Sequence, residues 1–438
     1  MEFDSRAVAA AEQLNRCGYE AYLVGGCVRD FLRDVAPHDY DITTSARPEA
    51  IQKVFAHRPT VETGLKHGTV TVLLAGLPLE ITTYRIDGDY ADGRHPDKVE
   101  FSTSLTEDLA RRDFTVNAMA WNPTEGLKDP FGGREDLENK LLRCVGDPQR
   151  RFTEDGLRIL RGLRFAAVLG FSLEEATAQA LTELAPRLKA VSAERIYEEF
   201  QKLICGKDAF SVLQRFPTVV GEFIPELLPC VGFDQHNFHH VYDVYTHLLH
   251  TLQNAPPDPA MRWAALLHDI GKPQTFSLDE KGVGHFYGHA QRSAELADEI
   301  LKRLRADNNT RRQVNTLIRH HDFPIEADER ILRRRLNKLG EEGLSRLIAL
   351  MRADNLALAP EFRDRQTHYD ALEEILHRIL AEKQCFSLKD LAVDGRDLIA
   401  LGYEGRQIGA ALNTLLEQVL DGHCENEKEA LLRTLRRQ

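Results

Sequence analysis

Between Pro130 and Asp136 the hydrophobic pattern of this 438-residue chain changes, and that change limits what it can fold into. Before it, residues 5–17 repeat apolar positions at helical spacing, and AYLVGG (21–26) reads as a short strand entering a glycine turn. A helix signal runs through Val28–Leu32, and strands are expected at Tyr40–Thr43, Thr69–Leu74 and Leu79–Tyr84, where β-branched and apolar residues cluster. Residues 87–98, rich in Gly, Asp and charge, read as a mobile loop. Beyond Gly133 strand signals largely disappear. Helices are expected over 155–169, 174–189, 193–205, 239–254, 260–270, 289–304, 309–320, 328–337, 343–358, 365–382 and 405–419. The predicted fold class is α+β and multidomain: a small α/β head (1–125), then an all-α neck (126–210), body (211–375) and tail (376–438).

The head carries a carboxylate pair. Gly25-Gly26 ends a strand, and Asp39-Tyr40-Asp41-Ile42 follows shortly after. Side chains two apart on a strand share a face, so Asp39 and Asp41 project together and repel unless cations lie between them. Two Mg²⁺ ions on such a pair suit in-line nucleotidyl transfer. Glu80, on a neighbouring strand, is a candidate third ligand. The glycines let backbone N–H groups approach phosphates, and Arg29 adds positive charge. Taken singly, each piece is more often an ordinary turn or a solvated strand. Together they match the G-G…D-h-D-h signature of the nucleotidyltransferase superfamily.

Arg111-Arg112-Asp113-Phe114-Thr115-Val116-Asn117 sets two guanidinium groups beside an acid and an amide, a phosphate- and ribose-binding combination. Further on, Arg158, Arg161 and Arg164 recur every three residues along one side of a helix that Glu154-Asp155 opens. Asp155 and Arg158 are also placed for a simple surface ion pair.

Six motifs stand in one order: V-G-G-C-V-R-D (24–30), D-Y-D (39–41), R-R-D-F-T-V-N-A (111–118), D-P-F-G-G (129–133), E-D-G-L-R (154–158) and A-E-R-I-Y-E-E (193–199). Over its first 210 residues or so the chain resembles the bacterial class II tRNA nucleotidyltransferases, the CCA-adding enzymes, and their poly(A) polymerase relatives. The resemblance implies metal ligation by Asp39 and Asp41, triphosphate and ribose contacts from 111–117, and base recognition by Asp155 and Arg158. Cytosine and adenine both present an amine donor beside a ring-nitrogen acceptor, which a carboxylate and a guanidinium complement. Uracil and guanine present the opposite polarity. One Asp/Arg pair thus accepts CTP and ATP without a template.

A second constellation lies in the helical body: His247, His268-Asp269, His289, His320-His321 and Asp354. Imidazoles and carboxylates from several helices suit a divalent metal. The set is similar to the HD phosphohydrolase superfamily, with Lys272 as a phosphate contact. The competing expectation is a decayed, purely structural HD fold. A live site would hydrolyse phosphomonoesters or 2′,3′-cyclic phosphates.

The formal net charge of −12 argues against an RNA partner, yet residues 139–170 carry seven basic residues (140, 143, 150, 151, 158, 161, 164) against three acids. A second basic run, Arg330, Arg333-Arg334-Arg335 and Lys338, is a further candidate track for the tRNA acceptor arm. Seven scattered cysteines without a C-x-x-C, an N-terminus unlike a secretory signal and no long apolar run point to the cytoplasm.

The expected reaction is CCA addition to tRNA from CTP and ATP, with Tyr84, Arg85, Asp92 and Arg94 of the 84–98 loop moving between the C and A steps. CC-only addition is disfavoured by the intact loop; A-only addition stays open. Poly(A) polymerase is disfavoured by the acidic segment Asp421–Glu429 near the end. An HD phosphohydrolase with an RNA-holding head is the alternative from another class. A nucleotide-signalling synthetase/hydrolase would place the HD unit first.

Overall fold

The computed structural model describes residues 2–61, 68–87 and 99–436. They form two compact units, Met1–Pro225 and Glu226–Gln438.

In the first unit, α1 (Ser5–Arg16) starts where the Asp4 carboxylate accepts the Arg6 N–H, and it buries Ala7, Ala10, Ala11 and Leu14 on one face. There follow β1 (Ala21–Val24), α2 (Gly26–Leu32), β2 (Tyr40–Thr44), α3 (Pro48–Val54), β3 (Thr60–Val61), β4 (Thr69–Leu74) and β5 (Leu77–Thr83). A small separate ladder, β6 (Arg85–Asp87) with β7 (Val99–Phe101), precedes α4 (Leu105–Ala110), β8 (Ala120–Asn122) and β9 (Gly126–Lys128). The main sheet has the order β3-β4-β5-β2-β1-β8-β9. Its central strands bury Leu23, Ile42, Leu79 and Ile81 completely. Each such side chain contributes about 1.5–3 kcal/mol. The sheet runs past residue 125 because β9 pairs with β8, and the Asn122 amide ties that edge to the Ala21 carbonyl at 2.7 Å.

The helical part of this unit comprises α5 (Gly133–Glu138), α6 (Pro148–Glu154), α7 (Leu157–Leu169), α8 (Glu175–Glu183), α9 (Ala193–Ile204), α10 (Ala209–Arg215) and α11 (Pro217–Gly221). A two-residue parallel ladder, β10 (Leu141–Leu142) with β11 (Ser172–Leu173), lies among them. The helix expected over 174–189 stops at Glu183 and gives way to a 3₁₀ stretch, Ala185–Ala190, because Pro186 lacks the N–H an α-helix needs. Helix α10 packs on α7, and α11 on α8, so the first unit continues to Pro225 rather than ending near 210.

The D-P-F-G-G motif is a clamp. Asp129 accepts the N–H groups of Gly133 (2.7 Å) and Arg134 (2.9 Å), fixing the start of α5. A Cβ on Gly133 would collide with the Thr115 carbonyl, and Asp136 accepts the Thr115 hydroxyl at 2.6 Å. Helix α5 therefore presses directly on the 111–118 segment.

The second unit is built from α12 (Val244–Asn254), α13 (Pro259–Leu267), α14 (Lys272–Thr275), a hairpin β12 (Ser277–Leu278)–β13 (Gly284–His285), α15 (His289–Arg303), α16 (Asn308–His320), α17 (Glu329–Asn355), α18 (Gln366–Ala381), α19 (Gly395–Ala400), α20 (Arg406–Leu420) and α21 (Lys428–Arg436). The helix expected from 239 begins at Val244, where the Asp243 carboxylate accepts the Thr246 N–H at 2.7 Å. The two helices expected over 328–337 and 343–358 are segments of α17 separated by a kink at Gly340, φ 72°. Residues 393–435 carry their own apolar core, including Leu398, Leu415 and Leu431. Arg334 of the second basic run pairs with Asp421 (2.9 Å) and Glu417 (3.2 Å) of the tail, so that guanidinium ties helices together. Among the described residues no helix is long and apolar enough to cross a membrane.

Candidate active sites

Strand β1 is antiparallel to β2, and β2 parallel to β5, which puts Asp41 in register with Val24 on one side and Glu80 on the other. Gly25, directly after β1, has φ +76°, a left-handed conformation that side chains rarely adopt. A Cβ there would stand 3.1 Å from Arg112 Nη1 and 3.8 Å from Asp41 Oδ2. The glycine thus clears the floor of a cavity of about 590 Å³.

Asp39 and Asp41 both line this cavity, as do Gly26, Arg29, Arg111, Arg112, Asp113, Asn117, Asp155, Arg158, Arg161 and Arg164. Glu80 is exposed beside Asp41 and outside the cavity lining. Burial pushes the Asp41 carboxyl up to about 6; Arg112 opposes this, while Glu80 and Asp39 reinforce it. An all-oxygen carboxylate cluster of this kind fits a hard divalent cation.

Behind the floor runs a polar relay. Arg29 Nη1 donates to Asn117 Oδ1 (2.7 Å), Asn117 Nδ2 donates to Asp113 Oδ1 (3.2 Å), and Arg161 Nε donates to Asp113 Oδ2 (2.8 Å). Burial alone would raise the Asp113 carboxyl, but the neighbouring Arg161 charge wins and holds it at about 2. Arg111 leans on the buried Asp108 at 2.8 Å, and Arg164 on Glu199 at 2.6 Å.

Asp155 and Arg158 have separate partners rather than each other. Arg195 of α9 reaches Asp155 Oδ2 at 3.2 Å, and Arg158 Nη1 donates to Glu154 Oε2 at 2.8 Å. Arg158 Nη2 also donates to the Arg111 carbonyl at 2.9 Å. Sequence reasoning assigned no role to Arg195, Glu154 or Glu199, although all three stand inside the 154–158 and 193–199 motifs; acid–base complementarity between those motifs was the available signal. The basic excess over 139–170 is largely matched internally, with Arg143 on Asp136, Arg150, Arg151 and Arg158 on Glu154, and Arg161 on Asp113.

Tyr84 is fully buried and its hydroxyl donates to Glu20 at 3.3 Å, while Arg85 opens β6. Neither is a free loop tip: continuing β5 toward β6 carries Tyr84 into the core. Asp92 and Arg94 lie outside the described residues.

The second constellation assembles in the other unit. His247 Nε2 lies 3.0 Å from Asp354 Oδ1 and 3.3 Å from both Asp269 Oδ2 and His268 Nε2. His268 Nε2 is 3.3 Å from Asp269 Oδ2, and Asp269 Oδ1 faces His289 Nε2 (3.2 Å) and His321 Nε2 (3.5 Å). The opposite ring nitrogens are used by the backbone: Nδ1 of His268, His289 and His321 lies 2.7–2.9 Å from the Ala265, Phe286 and Ile318 carbonyls. That places the Nδ1–H on the backbone and turns Nε2 toward the carboxylates, where it can carry a proton or ligate a metal. Two groups, His247/His268/Asp354 and His268/Asp269/His321, have the spacing to hold a metal ion. Without an ion, burial favours neutral His268, but the Asp269 and Asp354 carboxylates prevail and lift it to about 10. The cluster demands positive charge. His320 does not join it; its Nδ1 donates to the Thr316 carbonyl and burial, with Lys338 and Arg335 nearby, lowers its pKa. On a helix end, adjacent residues point about 100° apart, so only one of the pair can face inward. Lys272 Nζ is 2.7 Å from Asp269 Oδ2 and 2.8 Å from Gln235 Oε1, the latter a partner that sequence reasoning missed.

Residues 21–143 match the family described as "Poly A polymerase head domain" and residues 170–216 that described as "Probable RNA and SrmB- binding site of polymerase A". Residues 279–435 match a second-domain family of the tRNA nucleotidyltransferases. The chain is 33% identical over 435 residues to a CCA-adding enzyme of Enterococcus faecalis, covering 99% of this chain and 95% of that one. It is 34% identical over 431 residues to a CCA-adding enzyme of Lactobacillus delbrueckii subsp. bulgaricus, covering 98% and 97%. The Bacillus stearothermophilus CCA-adding enzyme in complex with CTP superposes with a TM-score of 0.71 at 29% identity, covering 98% of this chain and 97% of that one. With the carboxylate pair, the arginine-lined cavity and full-length similarity in agreement, this chain belongs to the CCA-adding enzymes, the tRNA nucleotidyltransferases with a poly(A) polymerase-type head.

Proposed function

We propose that this chain adds C, C and A to tRNA 3′ ends from CTP and ATP without a nucleic-acid template. The observation that carries this reading is the convergence of Asp39 and Asp41 with Asp155 and Arg158 on one cavity. Asp39 and Asp41, with Glu80 beside them, would hold Mg²⁺, which when bound supplies positive charge to the attacking hydroxyl and the triphosphate. Arg29 and Arg112 add positive charge for the phosphates, and Arg161 and Arg164 line the same wall while held by Asp113 and Glu199. Asp155 accepts from the exocyclic amine of cytosine or adenine, and Arg158 donates to the adjacent ring nitrogen. The tRNA 3′-hydroxyl releases its proton to solvent as its oxygen bonds to the α-phosphorus, the bond from that phosphorus to the bridging β-phosphate oxygen breaks, and pyrophosphate leaves. The test is incubation with tRNAs ending before C, after C and after CC, each nucleotide supplied separately. Failure to incorporate CMP and AMP overturns the reading; AMP incorporation confined to CC-ended tRNA selects an A-adding form.

A second reading is favoured by the inward-facing Nε2 atoms of His247, His268, His289 and His321 around Asp269 and Asp354. Mixed nitrogen and oxygen donors fit a divalent transition ion, which when bound would supply charge to a phosphoryl oxygen and to water. Lys272, held by Asp269 and Gln235, lines the same cavity and is the proposed phosphate contact. The second unit then hydrolyses phosphate esters: a water oxygen bonds to phosphorus, the ester P–O bond breaks, and the alcohol leaves with a proton. Hydrolysis surviving His268→Ala/Asp269→Ala would overturn this.

A further inference from the structure

Phe165 of α7 lines the cavity of the first unit and is 5% exposed. Three guanidinium groups surround its ring, with the central carbon of Arg164 at 3.8 Å from the centroid and those of Arg29 and Arg161 at 5.4 Å each. Arg161 stands four residues before Phe165, about one helical turn, whereas Arg29 comes from α2. The ring is braced from another side. Phe114 meets it edge-on, with centroids 5.8 Å apart and planes at 78°, and Phe114 in turn sits close over Gly162, where a Cβ would stand 3.1 Å from its Cζ.

Three positive groups around one ring repel one another, and each has an acid at one edge. Arg29 Nε and Nη2 donate to Asp30 at 2.9 Å, Arg161 Nε donates to Asp113 at 2.8 Å, and Arg164 Nε lies 2.6 Å from Glu199 Oε2. These contacts leave outer groups open. Among the described residues none accepts a hydrogen bond from Arg161 Nη1 or from either Nη of Arg164. An acid at one edge fixes a distance but lets the planar group turn about that contact. The negative face of an aromatic ring restrains the turn, because it attracts the cation over it.

We infer that Phe165 is a positioning residue for the triphosphate: its ring orients Arg29, Arg161 and Arg164 so that their remaining N–H groups meet the phosphates of the incoming nucleotide. Base choice, proposed for Asp155 and Arg158, does not depend on it. This inference rests on the nucleotidyl-transfer reading of the first unit.

Fluorination is the test. Replacing Phe165 by 4-fluoro-, 3,5-difluoro- and 3,4,5-trifluorophenylalanine in the full chain draws charge from the ring face and nearly keeps its shape, so folding is preserved. KM for CTP and ATP and the inhibition constant of pyrophosphate are expected to rise stepwise with fluorine number, reaching about ten-fold. Loss of binding shared by ground and transition states leaves kcat unchanged, and the affinity for cytidine, which has no phosphate, should stay constant. Phe165→Leu, which removes the ring, should match the trifluorinated protein, and Phe165→Tyr should keep wild-type constants. Constants that stay flat across the fluorinated series overturn the inference and leave the transferase standing. So does a loss confined to kcat, the mark of a smaller active fraction, or an equal loss of cytidine affinity, which would show that the ring shapes the whole cavity. If the unsubstituted chain incorporates neither CMP nor AMP, the nucleotidyl-transfer reading falls and this inference with it.

Discussion

Arg195 Nη2 lies 3.2 Å from Asp155 Oδ2, linking α9 to the residue that opens α7. Glu154 meanwhile takes Arg158 at 2.8 Å and Arg151 at 2.6 Å. The two side chains proposed to read the base are therefore positioned by different partners and do not neutralise one another. Arg195→Ala is expected to loosen Asp155 and lower kcat/KM for both CTP and ATP by about ten-fold to a hundred-fold, as for loss of a charge-assisted contact. Misincorporation of UMP or GMP should rise while tRNA affinity stays constant. Single-nucleotide incorporation assays and tRNA binding measured in parallel check this, and unchanged fidelity would contradict it.

Gly25→Ala tests the cavity floor. Alanine at φ +76°, ψ −132°, outside the left-handed α region, is strained by roughly 1–3 kcal/mol, and its methyl would press on Arg112 Nη1 from 3.1 Å. A modest fall in melting temperature with a much larger loss of nucleotide transfer is expected. Thermal unfolding and CMP incorporation on one preparation separate the two effects.

Asp113 gives a pH signature. Its folded pKa, about 2, is below the ordinary carboxylate value because of Arg161. A depressed carboxylate stabilises the fold fully above its unfolded pKa, near 4, and loses that contribution as pH falls through the folded value. Asp113→Asn should cost about 2 kcal/mol at neutral pH, with wild type and variant converging as pH drops from about 4 toward 2. Denaturant titrations across that range measure the gap, and a constant gap would refute the assignment.

The second cluster predicts that a bound ion stabilises its unit. A divalent ion at about a hundred times its dissociation constant adds about 2.7 kcal/mol, so chelation should lower the melting temperature. His321→Ala should abolish or strongly reduce that chelator-sensitive shift and His320→Ala should retain it, because only His321 faces Asp269. Equal shifts in the two variants would show that His321 is not a ligand, and a wild-type melting temperature unmoved by chelator would show that the cluster holds no stabilising ion.

The sequence by itself determined a good deal. Strand alternation was expected to put Asp39 and Asp41 on one face; Asp39 instead lies one residue before β2, yet it and Asp41 line the same cavity as Arg158, Arg161 and Arg164 of α7, whose three-residue spacing was legible. The change in period near Gly133 marked where the sheet gives way to helices, apart from two-residue ladders. These features were legible because they depend on local geometry, which repeats with the chain. Partner choice does not repeat. Whether Arg158 meets Asp155 or Glu154, which of His320 and His321 turns inward, and that Tyr84 enters the core rather than a loop all depend on segments distant in sequence. Charge counting misled for the same reason. The arginines over 139–170 look like a free phosphate track in a window sum, yet acids at 113, 136, 154 and 199 claim most of them. Coulomb energy falls with distance in space, and only the tertiary structure sets that distance.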